Sequence, residues 1–405
     1  MKITKVEVFI NSVSRNFVTV KITTDDGVYG IGDATLNGRE MAVYKYIEEH
    51  IAPCLIGKDP SQIEDKWQYL YKGTYWRKGP VTMTAIGGID MALWDIKGKV
   101  AGMPVYQLLG GRSRKGVTVY GHASGQTIDE VLEKLGNMIS EGYKVVRLQC
   151  ALPDSKQSYG VLGKEKNYYE LQSNRPLPPE LEWNTAKYMK FIPELFRRAR
   201  EKYGTEIRLC HDVHNRLTPI EAARLGKLLE PYDLLFLEDM VPADNQNSYK
   251  IIRQHTTTPL ANGETFNTIW DTKELIENQL IDYCRIAVSH GGGITPLRRV
   301  ADFAALHNVR MAPHGAPDLS PISFVAHMHF DIWVPNFGVQ EFIGFGTPEI
   351  RSVFDFDVKL EDGLLYISDA PGLGVDFNEQ EAAKYPYKRS YLPVSRLEDG
   401  TMWNW

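Results

Sequence analysis

Eight apolar strand patterns, each followed by a helical one, run from residue 117 to residue 344 and predict an α/β chain built on a (β/α)8 barrel. Two further observations complete the prediction. The first third has a different, α+β rhythm, and the βα period fades from about residue 356. The expected division is an α+β capping domain over 1–115, a catalytic barrel over 116–355, and a tail over 356–405 that returns to the cap.

In chain order, ITKVEVFI and FVTVKIT alternate like strands, and the Asp-Asp-Gly of TTDDGVYG marks a hairpin before a third. Helical patterns follow in EMAVYKYIEEHIAPCLIG and from Ile63 to Leu109. Residues 85–111 are small or apolar around most of the helix, so a buried helix ending at Gly110 and Gly111 is expected. The barrel strands are VTVYGHAS, YKVVRLQCA, EIRLCHDVH, LLFLEDM, PLANGET, DYCRIAVSH, VRMAPHG and FGVQEFIG. Between them, Thr127 with Glu130 and Thr218-Pro219 with Glu221 read as capping boxes, and Thr295-Pro296 and Ser320-Pro321 as helix starts. Residues 152–186 are polar, rich in proline and aperiodic, a long loop of the kind that carries function.

Composition bounds what such a chain does. It is 405 residues long, 43% hydrophobic and 24% charged, as a globular protein is. A net charge of −5 and a pI near 6.1 argue against nucleic acid or an anionic membrane as the main partner. MKITKVEVFI lacks the apolar core of a signal peptide and no apolar run reaches membrane-spanning length, so a cytoplasmic location is expected. Cys54, Cys150, Cys210 and Cys284 are scattered without a CxxC pair and predict reduced thiols rather than zinc or disulfides. No GxGxxG follows the first strand.

Barrel sites sit at the carboxyl ends of the strands. Asp212, Glu238 and Glu264 close three consecutive strands at successive intervals of 26 residues, one βα unit each time. Three carboxylates converging on one rim repel unless a cation neutralises them, and an all-oxygen set suits Mg²⁺ better than zinc. Arg147, Arg285, His314 and Glu341 end further strands. Such a cation can hold a substrate carboxylate and stabilise the charge formed when its α-proton leaves, which requires a base and, for an elimination, an acid. Alternation puts His214 on the face of Asp212, placed to serve as either.

The chain resembles the enolase superfamily in GIDMALWDIKGKVAGMPVYQLLGG and in the acid triplet. Within it, GTYWRKGPVTMTAIGGIDMALWDIKGK, VYGHASG, VVRLQ, CHDVH, FLEDM, HGAPDLSP and TMWNW resemble the mannonate dehydratase family, some members of which are labelled starvation-sensing proteins. The similarity spans nearly the whole chain. It implies Tyr159 in the long loop as the base, Arg147 as the cation favouring its phenolate, and His214 as the acid for the departing 3-hydroxyl. It implies substrate contacts from Asn37, Trp76, His122, Arg285, His314, Asp318 and Glu341. The implied reaction is Mg²⁺-dependent dehydration of a small-molecule acid sugar, D-mannonate to 2-keto-3-deoxy-D-gluconate, in a symmetric homo-oligomer. The alternatives are D-gluconate as substrate, or a low-activity or regulatory sugar-acid-binding homologue.

Overall fold

A computed structural model describes residues 1–153, 180–316 and 318–404. The N-terminal part is an antiparallel meander of β1 (Ile3–Asn11), β2 (Phe17–Thr24) and β3 (Tyr29–Asp33). Helices α1 (Glu40–Tyr46), α2 (Ala52–Leu55), α3 (Ile63–Lys72), α4 (Pro80–Ala101) and α5 (Val105–Leu109) follow it. Helix α4 lies directly on β3. A Cβ on Gly30 would stand 2.1 Å from the Ala92 carbonyl oxygen and one on Gly32 1.9 Å from that of Gly88, so only glycine permits this approach. The buried helix expected here does form, but it ends earlier. Gly102, at φ +63°, is its C-cap, and Gly110 closes the separate short α5.

The barrel is a ring of parallel strands: β4 (Val117–Gly125), β5 (Val145–Cys150), β7 (Arg208–Asp212), β8 (Phe236–Glu238), β9 (Leu260–Asn262), β10 (Tyr283–Cys284), β11 (Arg310–Met311) and β12 (Gln340–Glu341). A two-residue β6 (Leu181–Glu182) stands outside the ring. Strand β12 pairs with β4, and the last seam closes where Met311 bridges Phe337. There the Met311 N–H donates to Asn336 O and the Gly338 N–H to Met311 O. The intervening helices are α6 (Ile128–Ser140), α7 (Thr185–Tyr203), α8 (Pro219–Leu229), α9 (Ser248–His255), α10 (Ile269–Glu277), α11 (Ile294–Leu306) and α12 (Pro321–Trp333). Thr218 and Glu221 form the expected box and Ser320 caps α12. At α6 the Glu130 carboxylate reaches the N–H of Gln126 instead of that of Thr127. Thr295-Pro296 falls inside the first turn of α11, because Gly293 is the cap residue and Asp90 of α4 accepts the Thr295 N–H at 3.0 Å.

One layer fills the barrel: Tyr120, Val145, Cys210, Phe236, Ala261, Tyr283, Ala312 and Val339, one residue from each strand or its immediate end, all buried. These sites are apolar because they face a dry interior from all sides.

The C-terminal segment contains α13 (Pro348–Val353), β13 (Phe354–Phe356), β14 (Val358–Glu361), β15 (Leu364–Ile367), β16 (Val375–Phe377), α14 (Glu379–Ala382), β17 (Ser395–Arg396) and β18 (Met402–Trp403). It meets the meander through Lys21–Glu379, Tyr29–Asp376 and Asn16 to the Lys388 carbonyl. It also meets the barrel: β15 pairs antiparallel with the start of β4, and β17 lies between β6 and β18. Among the described residues no helix is long and apolar enough to cross a membrane.

Candidate active site

The packed layer dictates the ring above it. Side chains alternate faces along a strand, so the residue two positions beyond each layer member faces the same axis one level nearer the carboxyl ends. Those residues are His122, Arg147, Asp212, Glu238, Gly263, Arg285, His314 and Glu341. Seven of the eight are ionisable.

The exception explains the third acid. After β9 the inward position is Gly263, at φ +134°, and a Cβ there would stand 3.0 Å from Ile286 N and 3.1 Å from Arg285 N. Only glycine fits, and the acid is carried by the next residue. Glu264 approaches His214 Nε2 at 3.5 Å and His314 Nε2 at 3.7 Å. The shared face predicted for Asp212 and His214 has a different origin from strand alternation. Strand β7 stops at Asp212, and His214 and Asn215 are left-handed, at φ +56° and +61°. A turn swings His214 towards Glu264.

Opposite charges interlock around this ring. Arg285, fully buried, places Nη2 2.7 Å from both Glu238 and Glu341. Arg147 Nη1 donates to Asp212 Oδ2 at 3.0 Å and stands 3.5 Å from Glu341, while Nη2 meets His122 Nδ1 at 3.2 Å. A guanidinium only donates, so His122 Nδ1 is the acceptor and its Nε2–H faces Glu341 Oε1 at 2.9 Å. That tautomer is neutral, consistent with burial, reinforced by Arg147, lowering the His122 pKa to about 4. Burial opposes the charge on Glu341, yet Arg285 and then the His122 bond hold its carboxyl well below the usual range.

The acids on the opposite side behave differently. Glu238, Asp239 and Glu264 bring one carboxylate oxygen each to within 4.8 Å of one another. Burial raises all three, Asp239 to about 7, and carboxylate neighbours add to the rise. Asp239 was not among the expected residues. As the partner of Glu238 in LEDM it should face away, but φ +41° turns it back and its Oδ1 accepts the Gly263 N–H. Asp212 stands outside that tight group but is the register partner of Glu238. Burial opposes its charge, whereas His214 and Arg147 lower its pKa, and its Oδ1 is buried without a hydrogen-bond partner among the described residues. Crowded carboxylates that resist ionisation, with a buried oxygen unused, fit a hard divalent cation.

The remaining expected residues divide. Asp318 Oδ1 lies 3.9 Å from His314 Nε2. Asn37 is half-buried on a cap loop tied to the barrel where Ser320 N donates to Asp33 and His290 Nε2 to Thr35 O. Trp76 is 84% exposed, edge-on to Tyr75, and no contact among the described residues brings it to the ring. Tyr159 lies outside the described residues.

A capped barrel with this ring of acids, arginines and histidines at its mouth defines the enolase class of fold and site. Residues 184–381 match the enolase C-terminal domain-like family, and residues 4–110 match the N-terminal domain of mandelate racemase and muconate lactonizing enzyme. The D-mannonate dehydratase of Novosphingobium aromaticivorans is 58% identical and the D-galactonate dehydratase family member RspA of Halomonas elongata 56%, each over 100% of both chains. An enolase from Pantoea ananatis, crystallised with bound D-gluconate and Mg, superposes with a TM-score of 0.91 at 43% identity, over 100% of this chain and 99% of that one. The chain belongs to the enolase superfamily and, within it, to the mannonate dehydratase family.

Proposed function

We propose that the chain is a Mg²⁺-dependent sugar-acid dehydratase that converts D-mannonate to 2-keto-3-deoxy-D-gluconate. The observation that carries this reading is the ring itself, seven ionisable groups on one level with Glu264 beside them, in a chain 58% identical to a D-mannonate dehydratase along its full length. Asp212, Glu238 and Glu264 would hold the ion, with Asp239 at their edge. Bound there, the ion would offset negative charge gathering on the substrate carboxyl group as the α-proton departs.

The work of the chain follows from the geometry. A base removes the C2 proton, the C2–C3 double bond forms as the 3-hydroxyl leaves, and an acid supplies the proton that makes it water. The enol product then ketonises. His214 is the acid in this proposal, because the turn after β7 places its Nε2 at the ring, 3.5 Å from Glu264. Tyr159 is assigned the base role on family resemblance alone, with Arg147 favouring its phenolate. His122 and the His314 imidazole would line the pocket towards substrate hydroxyls, and Arg285 and Glu341 hold the wall behind them. Asn37 and Asp318 would complete the pocket from the cap loop and the seventh strand loop. Trp76 is assigned a substrate contact on family resemblance alone.

D-gluconate is the second reading, favoured by the ligand of the Pantoea relative. The test is purified protein with Mg²⁺, offered each acid in turn while 2-keto-3-deoxy acid is measured, then repeated with EDTA. Product from D-mannonate that EDTA abolishes supports the first reading. Product from D-gluconate alone moves the substrate, and silence with both leaves a sugar-acid-binding protein without turnover.

A further inference from the structure

Tyr120 belongs to the packed layer yet carries a hydroxyl, and that hydroxyl leaves the layer for the ring. It donates to Glu238 Oε2 at 3.2 Å from the opposite side of the barrel interior, with the ring fully buried. A carboxylate oxygen accepts, so the phenol is the donor. The other Glu238 oxygen, Oε1, faces Arg285 Nη2 at 2.7 Å. The carboxylate is therefore hydrogen-bonded at one oxygen, by Tyr120 of β4, and ion-paired at the other with Arg285. The ring of Tyr120 is fixed in turn. It stacks on His122, with centroids 5.7 Å apart and an angle of 21°, meets Phe236 edge-on at 5.9 Å, and lies 5.7 Å from the Arg285 guanidinium carbon. A layer that only had to fill space could place phenylalanine here.

We infer that Tyr120 is a positioning residue: its hydroxyl fixes the rotation of the Glu238 carboxylate so that the acid cluster receives a divalent cation without rearranging. Partners behind a ligating group commonly set its orientation and basicity. The inference rests on the proposed Mg²⁺ site, so its test must separate the two.

Calorimetric titration of Mg²⁺ into the wild-type chain and into Tyr120→Phe does so. The expected result is a Kd weakened roughly 10–100-fold in the variant, a matching rise in the Mg²⁺ needed for half-maximal turnover, and little change in kcat at saturating Mg²⁺. The melting temperature of the ion-free variant should stay close to that of the wild type. Equal Mg²⁺ affinity in the two proteins overturns the inference and leaves the functional proposal standing. Failure of the wild type to bind Mg²⁺ overturns both. If Tyr120→Phe does not fold, 3-fluorotyrosine at position 120 keeps the ring and alters only the donor strength. An unchanged Kd in that protein rejects the inference, and a shifted one supports it.

Discussion

Two levels of side chains inside one barrel, two residues apart on the same strands and the same face, have opposite characters. The lower level is almost entirely apolar and buried, and the upper is almost entirely ionisable. Backbone placement is common to both, so the difference lies in what each level meets. The lower is closed in on every side, where an unpaired charge is costly, whereas the upper opens towards the mouth and pairs its charges across the ring. Stability and chemistry are thus assigned to successive inward positions, and substitutions should separate them.

The sharpest separation comes from neighbours on one strand. Glu238→Gln should lower turnover by at least about 10³-fold while the chain stays folded by circular dichroism. A variant still near wild-type activity would remove Glu238 from the ion site. Its lower-level counterpart, Phe236→Ala, should cost about 3–5 kcal/mol in urea unfolding, with the folded fraction still turning over substrate. If both variants lose activity without losing stability, the division between levels is wrong.

Titration offers a subtler contrast. His122 has a pKa near 4 in the folded chain against an ordinary value of 6.5. A base whose pKa is depressed by folding contributes no penalty above the unfolded value, and stability falls as pH drops from about 6.5 towards 4, at roughly 1.4 kcal/mol per unit. His122→Gln should flatten the stability profile in that window relative to the wild type. No lower-level substitution should do so, and a parallel profile would show His122 charged in the folded state. The smallest effect belongs to the exception. Gly263→Ala forces a side chain into left-handed backbone against Arg285 and Ile286, costing about 1–2 kcal/mol and displacing Glu264 enough to weaken Mg²⁺ binding. Unchanged binding would mean that Glu264 needs no such turn.

Much of the upper level was legible because one βα unit has a nearly constant length, so the interval of 26 residues marked Asp212, Glu238 and Glu264 as strand ends. Arg147, Arg285, His314 and Glu341 were found without that interval, as polar residues at the ends of further apolar strands. Asp239 escaped it because alternation sends it outward, and only a left-handed φ returns it. The placement of His214 was anticipated through alternation but arises from a turn. Helix α4 was visible as a buried apolar run, but its end at Gly102 was not, because small residues continue into α5 without a change of composition. Trp76 was named through family likeness alone, because no strand or helix period points to a role for it.

The indole N–H of Trp403 donates to the carbonyl of Arg216, and β17 zips β18 to β6. The segment leading from Asp212 and His214 is therefore buttressed by residues that leave the ribosome almost two hundred positions later. Nascent chains with all eight barrel strands already extruded would still lack this brace, so competence should arrive late in synthesis, after the hydrophobic interior has closed.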